Sequence, residues 1–265
     1  MAMLEHHKNT IENLIHHFKD DERFPAMIIA GSVAKGRQEE NSDVDFMLVA
    51  TDQEFDQRQK NVRLHVTADQ LCEAPTYTDG KVINLQFLRD VADHGSEPAR
   101  AAFGDTFIGY SRIPEIEDIL KQIPVYQIHE QKEKMISFYS QVIVHHWYIG
   151  EAEKRSDAYL IQRSAVDLVL FAGRLILAHN QMLYPYHKWF MRQLHHAPDK
   201  PDTFLKLART LLDRPCKKNA DLLTECVLNF NDWPKPPHGN DGVCARFLED
   251  SEWNWRDGIA PVCDR

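Results

Sequence analysis

Two short apolar runs, with a glycine closing the first and a pair of aspartates opening the second, constrain this chain more than any other feature. Ala26-Met27-Ile28-Ile29-Ala30 is short and apolar enough for a buried strand, and it ends on Gly31. Phe46-Met47-Leu48-Val49-Ala50 predicts a second strand, entered through Ser42-Asp43-Val44-Asp45. Side chains alternate across a strand, so Asp43 and Asp45 share one side while Val44 packs behind them. Two carboxylates fixed side by side repel each other unless a cation sits between them. Gly31-Ser32-Val33-Ala34-Lys35-Gly36 follows the first run and reads as a turn opening a helix. Such a turn offers backbone N–H groups suited to phosphate oxygens.

An apolar residue, Gly-Ser, about ten intervening residues and then Asp-apolar-Asp form a combined pattern, met here by Ala30-Gly31-Ser32 and Asp43-Val44-Asp45. Either half alone is a weak signal; together, each on its strand edge, they are a strong one. The pattern resembles the signature of the nucleotidyltransferase superfamily, which includes DNA polymerase beta and the kanamycin and lincosamide nucleotidyltransferases. The resemblance spans residues 24 to 90, roughly a quarter of the chain. It implies that Asp43 and Asp45 hold Mg²⁺ or Mn²⁺ and are catalytic. It also implies that Gly31 and Ser32, helped by Lys35 or Arg37, grip the phosphates of ATP or another nucleoside triphosphate.

The family pattern includes a third carboxylate on a neighbouring strand. Tyr77-Thr78-Asp79-Gly80-Lys81 reads as a hairpin with Asp-Gly as its turn. Val82-Ile83-Asn84-Leu85-Gln86-Phe87 reads as the strand after it, with Asn84 and Gln86 on the polar face. By the resemblance the third acid would fall near Asn84. An amide is no general base, so Asn84 by itself favours a nucleotide-binding module without turnover, whereas the intact Gly31-Ser32 turn and both aspartates favour an enzyme that transfers a nucleoside monophosphate to a small-molecule hydroxyl. Asp79 is the other candidate for the third acid and would reach the site only if the hairpin folds toward it; beside Gly80 it reads first as a turn former.

Composition narrows the class. The net charge of −9 argues against a generic nucleic-acid binder, which needs a basic face to release counterions. Nucleic acid is therefore an unlikely partner, and acidity suits a cationic small-molecule acceptor. Five cysteines with no Cys-x-x-Cys predict free thiols and a reducing, cytoplasmic setting. The first residues lack the layout of a secretory signal, and no apolar run is long enough to span a membrane.

The chain divides into zones. Residues 3–20 predict an amphipathic helix with Leu4, Ile11, Leu14, Ile15 and Phe18 on one stripe. Strands and short helices alternate from 26 to 112, and a helix follows Pro114 and stops at Pro124. From there nearly everything predicts helix: one over 130–154, another capped by Ser156-Asp157 and running to His179, then shorter ones punctuated by prolines. The expected fold is α+β: a small mixed sheet over 1–123 carrying the nucleotidyltransferase pattern, then an all-helical acceptor-binding domain over 130–265. Tyr184, Tyr186, His187 and Lys188, where a long helix ends at Pro185, are candidate acceptor-pocket residues or the filling of a bundle corner. Arg163 and Arg174 are candidate phosphate partners. The histidine pairs read as surface or amphipathic positions, because adjacent residues on a helix do not converge on one metal. A homodimer is compatible with all of this.

Overall fold

The computed structural model describes residues 2–258 and 262–264, so residues 1, 259–261 and 265 of the expected domains lie outside it. The chain forms two compact units, 1–125 and 126–265. The first is a mixed α/β unit and the second is helical, an α+β chain.

The first unit opens with helix α1 (Glu5–Phe18), which buries His7, Thr10, Ile11 and Leu14. Strand β1 (Ala26–Ala30) follows, with all five residues buried because it lies inside the sheet. A single helical turn, α2 (Gly31–Ala34), leads through a loop to β2 (Val44–Ala50). After α3 (Asp52–Lys60) come a two-residue strand β3 (His65–Val66) and β4 (Thr78–Asn84). Helices α4 (Leu85–His94) and α5 (Glu97–Ala102), strand β5 (Phe107–Ser111) and α6 (Ile116–Gln122) complete the unit.

The five strands lie in the order β3-β4-β2-β1-β5. Strand β1 runs antiparallel to β2 and β5, β3 runs antiparallel to β4, and β2 and β4 are parallel. Alternation splits the core in two. Met27 and Ile29 of β1 join Val44, Phe46 and Leu48 of β2 under α1. Ala26, Ile28, Val49 and Ile83 face the other way, toward Leu88, Val91, Ile116 and Leu120 of α4 and α6. Asp45 alternates with Val44 and Phe46, so it belongs to that second face, at the sheet end where β1 stops and β2 starts.

Two expectations fail in this unit. Asp79-Gly80 is the interior of β4, not a hairpin turn: Asp79 pairs with Asp45 and Gly80 with Phe46 across the parallel β2–β4 ladder. A Cβ on Gly80 would lie 2.3 Å from the Phe46 ring, so the glycine answers to packing and not to turn geometry. The strand expected over 82–87 stops at Asn84, whose side chain accepts from Phe87 N and caps α4. Leu85 and Phe87 are helical; the alternation that suggested strand is also compatible with the first turn of an amphipathic helix burying Leu88 and Val91.

In the second unit α7 (Gln131–Arg155) and α8 (Ala158–His179) form a helical hairpin. Ser156 takes a left-handed conformation at the end of α7, and Asp157 caps α8 by accepting from Leu160 N. Helix α8 is buried from Ser164 through Ala178 except for Val166. Helices α9 (Phe190–His196), α10 (Phe204–Asp213), α11 (Lys217–Leu228) and α12 (Gly239–Phe247) follow it. No helix among the described residues is long and apolar enough to cross a membrane. The five cysteines form no disulfide among the described residues.

Candidate active site

Three carboxylates meet at the end of the sheet. Asp45 is the second residue of β2, and Asp79, the second residue of β4, sits opposite it in the parallel register. Asp43 lies just before β2 and, two residues from Asp45, shares its face. One oxygen of each of the three lies within 4.8 Å of the others, and all three residues are half-buried. Asn84, the position the resemblance pointed to, lies five residues further along β4, about 16 Å away at strand rise. There it caps α4 and donates to Asp52 Oδ1 (3.0 Å), so it is not part of the cluster.

Asp79 is oriented from two sides. His65 Nε2 contacts its Oδ1 at 3.0 Å and Lys81 Nζ donates to its Oδ2 at 3.2 Å. The ladder explains why: His65 pairs with Lys81, and Lys81 is two residues from Asp79 on the same face.

Gly31 touches the cluster through its backbone. It pairs no side chain against β2, has φ of +71°, and a Cβ there would lie 1.7 Å from Asp45 Oδ2. Glycine is thus required twice over, by conformation and by the close approach of a carboxylate. The turn α2 begins at this point, and its first amides have no carbonyl of their own turn to bond. They lie in the segment adjoining the carboxylates, together with half-buried Ser32.

Lys35 and Arg37 follow this turn, both half-buried. Lys35 Nζ donates to Ala101 O at 3.0 Å, beside Gly104. Burial, then repulsion from Arg37, holds its ammonium below the ordinary lysine range, opposed by Asp105 and Asp45. The loop after α5 is therefore part of the surroundings of Lys35, a long-range neighbour that sequence spacing did not reveal.

The helical unit treats the four expected acceptor-pocket residues differently. Tyr184 is fully buried, its ring against Arg174 and Phe190 and its hydroxyl on His187 Nδ1 at 3.0 Å. A side chain enclosed in the core lines no pocket, so Tyr184 is the bundle-corner filling and not an acceptor contact. Tyr186, His187 and Lys188 are exposed, with Lys188 over the Trp189 ring. Arg174, also buried, donates to Val262 O and lies between the Phe138 and Tyr184 rings, and Arg163 is engaged by Asp167. Arg174 is thus a core residue, not a phosphate clamp.

The donor set fits a hard divalent cation. Three carboxylates present oxygen ligands only, the preference of Mg²⁺ and Mn²⁺, and their mutual repulsion is relieved by a cation among them.

No protein-family model matches this chain, and no curated protein matches its sequence. Among solved structures it is similar to a nucleotidyltransferase-like protein from Exiguobacterium sibiricum. The likeness covers 84% of this chain and 73% of that one, at 11% identity and a TM-score of 0.47.

Proposed function

We propose that this protein is a nucleotidyltransferase. It moves a nucleoside monophosphate, AMP foremost, from a nucleoside triphosphate to a hydroxyl on a small-molecule acceptor. The observation that carries this reading is the convergence of Asp43, Asp45 and Asp79 beside the Gly31-Ser32 turn. Asp79 opposite Asp45 offers a third carboxylate that Asn84 lacks, which supports the reading with turnover.

The three carboxylates would hold Mg²⁺ or Mn²⁺. A divalent cation there supplies Lewis-acid charge at the α-phosphoryl group and lowers the pKa of the acceptor hydroxyl. The Gly31-Ser32 amides and the Ser32 hydroxyl bind the β- and γ-phosphates, with Lys35 or Arg37 adding positive charge. The acceptor oxygen bonds to the α-phosphorus as the bond from that phosphorus to the bridging oxygen of the β-phosphate breaks. Pyrophosphate departs with the electron pair, and the hydroxyl proton passes to a carboxylate oxygen of Asp79. His65 and Lys81 keep that carboxylate oriented.

The test is pyrophosphate release from each of the four ribonucleoside triphosphates with Mg²⁺, against separate pools of aminoglycosides, lincosamides and total RNA. Release is expected with one acceptor pool and is expected to fall at least about a hundredfold in Asp43→Asn or Asp45→Asn. Wild-type turnover in either variant overturns the assignment. Release with RNA alone would replace the small-molecule acceptor by a nucleic acid.

A further inference from the structure

Of the three acids, Asp43 alone lies outside the ladder. Asp45 is paired on both sides, with Ala30 and with Asp79, and Asp79 is paired with Asp45. Register alone therefore fixes those two. Asp43 precedes Val44, the first paired residue of β2, and sits at the end of a loop that begins after α2. Its backbone is held instead by the hydrogen bonds of its neighbours. On one side Val44 N donates to Tyr77 O at 2.9 Å. On the other, the Ser42 carbonyl meets His7 Nε2 at 3.0 Å, while the Ser42 hydroxyl accepts from Glu39 N at 2.8 Å.

His7 comes from α1 and is fully buried. A carbonyl only accepts, so Nε2 carries the proton and Nδ1 does not. Nδ1 is buried with no hydrogen-bond partner among the described residues, so burying this imidazole carries a desolvation cost that the Ser42 bond helps to offset. That burial also holds the His7 pKa below the ordinary histidine value, which keeps the ring neutral. Packing alone would be served as well by an apolar ring.

The rest of α1 reaches both loops that feed the cluster. His6 Nε2 meets Glu40 O at 3.1 Å, and Gln38 donates to Ala2 O at 2.9 Å, just before the helix. On the Asp79 side, Glu73 N donates to Thr10 Oγ1 at 3.0 Å and Asn13 donates to Leu71 O at 3.0 Å. One helix thus spans the loop that ends at Asp43 and the loop that leads to Asp79.

We infer that His7 is a positioning residue: by holding the Ser42 carbonyl it sets Asp43 against Asp45 and Asp79, and so sets the affinity of the cluster for its divalent cation. The inference rests on the reading of those carboxylates as a cation centre, and the experiment separates the two. Mn²⁺ binding to the full chain is measured by electron paramagnetic resonance, with thermal unfolding of the metal-free protein alongside. Wild type is expected to bind Mn²⁺, and Asp43→Asn to lose it; if wild type shows no Asp43-dependent binding, the cation centre fails and the role of His7 with it. Given that binding, His7→Phe keeps the ring and removes the donor, and is expected to weaken Mn²⁺ about tenfold. His7→Gln restores an amide N–H at the reach of Nε2 and is expected to recover wild-type affinity. Wild-type affinity in His7→Phe, or no recovery in a folded His7→Gln, overturns the positioning role while leaving the cation centre standing. If His7→Phe does not fold, His7→Gln is compared with His7→Asn, whose amide is one methylene shorter. Asparagine is then expected to bind about tenfold more weakly than glutamine, and equal affinities overturn the proposal.

Discussion

Gly31→Ala perturbs the candidate site through a single atom. The added Cβ would lie 1.7 Å from Asp45 Oδ2 and 2.5 Å from its Cγ. An ordinary non-bonded contact is about 3.5 Å, so the carboxylate must retreat by roughly 1.8 Å. Misplacing a catalytic group by about 1 Å costs on the order of a hundredfold in rate, so the loss of transfer is expected to be at least that large. The backbone adds a separate cost: at φ of +71° an alanine is less stable than glycine by about 1–2 kcal/mol. Gly239→Ala divides the two effects, because Gly239 has φ of +59° with nothing within 4 Å of its would-be Cβ. Both variants carry the backbone cost and are expected to lower Tm, Gly31→Ala by more because of its added clash, but only Gly31→Ala is expected to lose Mn²⁺ affinity and pyrophosphate release. Calorimetry and Mn²⁺ titration on the pair decide it. Wild-type Mn²⁺ affinity in Gly31→Ala would refute the argument that this glycine exists to admit the Asp45 carboxylate.

Asp79→Asn is expected to lose Mn²⁺ binding at least about tenfold, whereas Asn84→Ala should keep it and cost about 1 kcal/mol in thermal unfolding, the loss of a helix cap. Gly80→Ala sets a Cβ 2.3 Å from the Phe46 ring and 2.6 Å from Val66 O, and should destabilise by about 1–3 kcal/mol of overpacking; an unchanged Tm would contradict the parallel β2–β4 packing. In the helical unit, burial pushes the His145 pKa down to about 4, with Asp167 opposing and Arg163 assisting. The unfolded chain, titrating near 6.5, binds the proton first, so stability is full above 6.5 and falls as pH drops toward 4, by about 3 kcal/mol from this group. His145→Phe, which retains a ring against Phe171, should flatten that part of the stability–pH profile measured by denaturant unfolding.

What the sequence made legible was local. Apolar runs, a glycine at the end of one and two aspartates at the start of the other define β1, α2 and β2, because each is a contact over a few residues. The long helices were legible for the same reason: periodicity and the Asp157 cap lie within one element. Asp79 was legible as a candidate acid but not as a strand residue, because its surroundings carry two meanings. Asp-Gly is the strongest short-range hairpin signal when only neighbours along the chain are considered. Here the glycine serves contact with Phe46, thirty-four positions away, and the aspartate serves a parallel pairing with Asp45. A parallel neighbour announces itself in no adjacent residue, since its connection must leave the sheet and return. His7 was hidden in a related way. As one of an adjacent histidine pair on an amphipathic helix it carries no sign of burial, and its partner is a backbone carbonyl, which has no sequence signature at all. The site thus divides by the range of its contacts: the part fixed by neighbours in sequence could be read directly, and the part fixed by register and by a helix brace required the fold. That division also says where variation should be tolerated. Substitutions at Asp43 or Asp45 remove carboxylates from the cluster, while those at Gly31, Gly80 and His7 leave every carboxylate in the chain and act only on where the carboxylates stand.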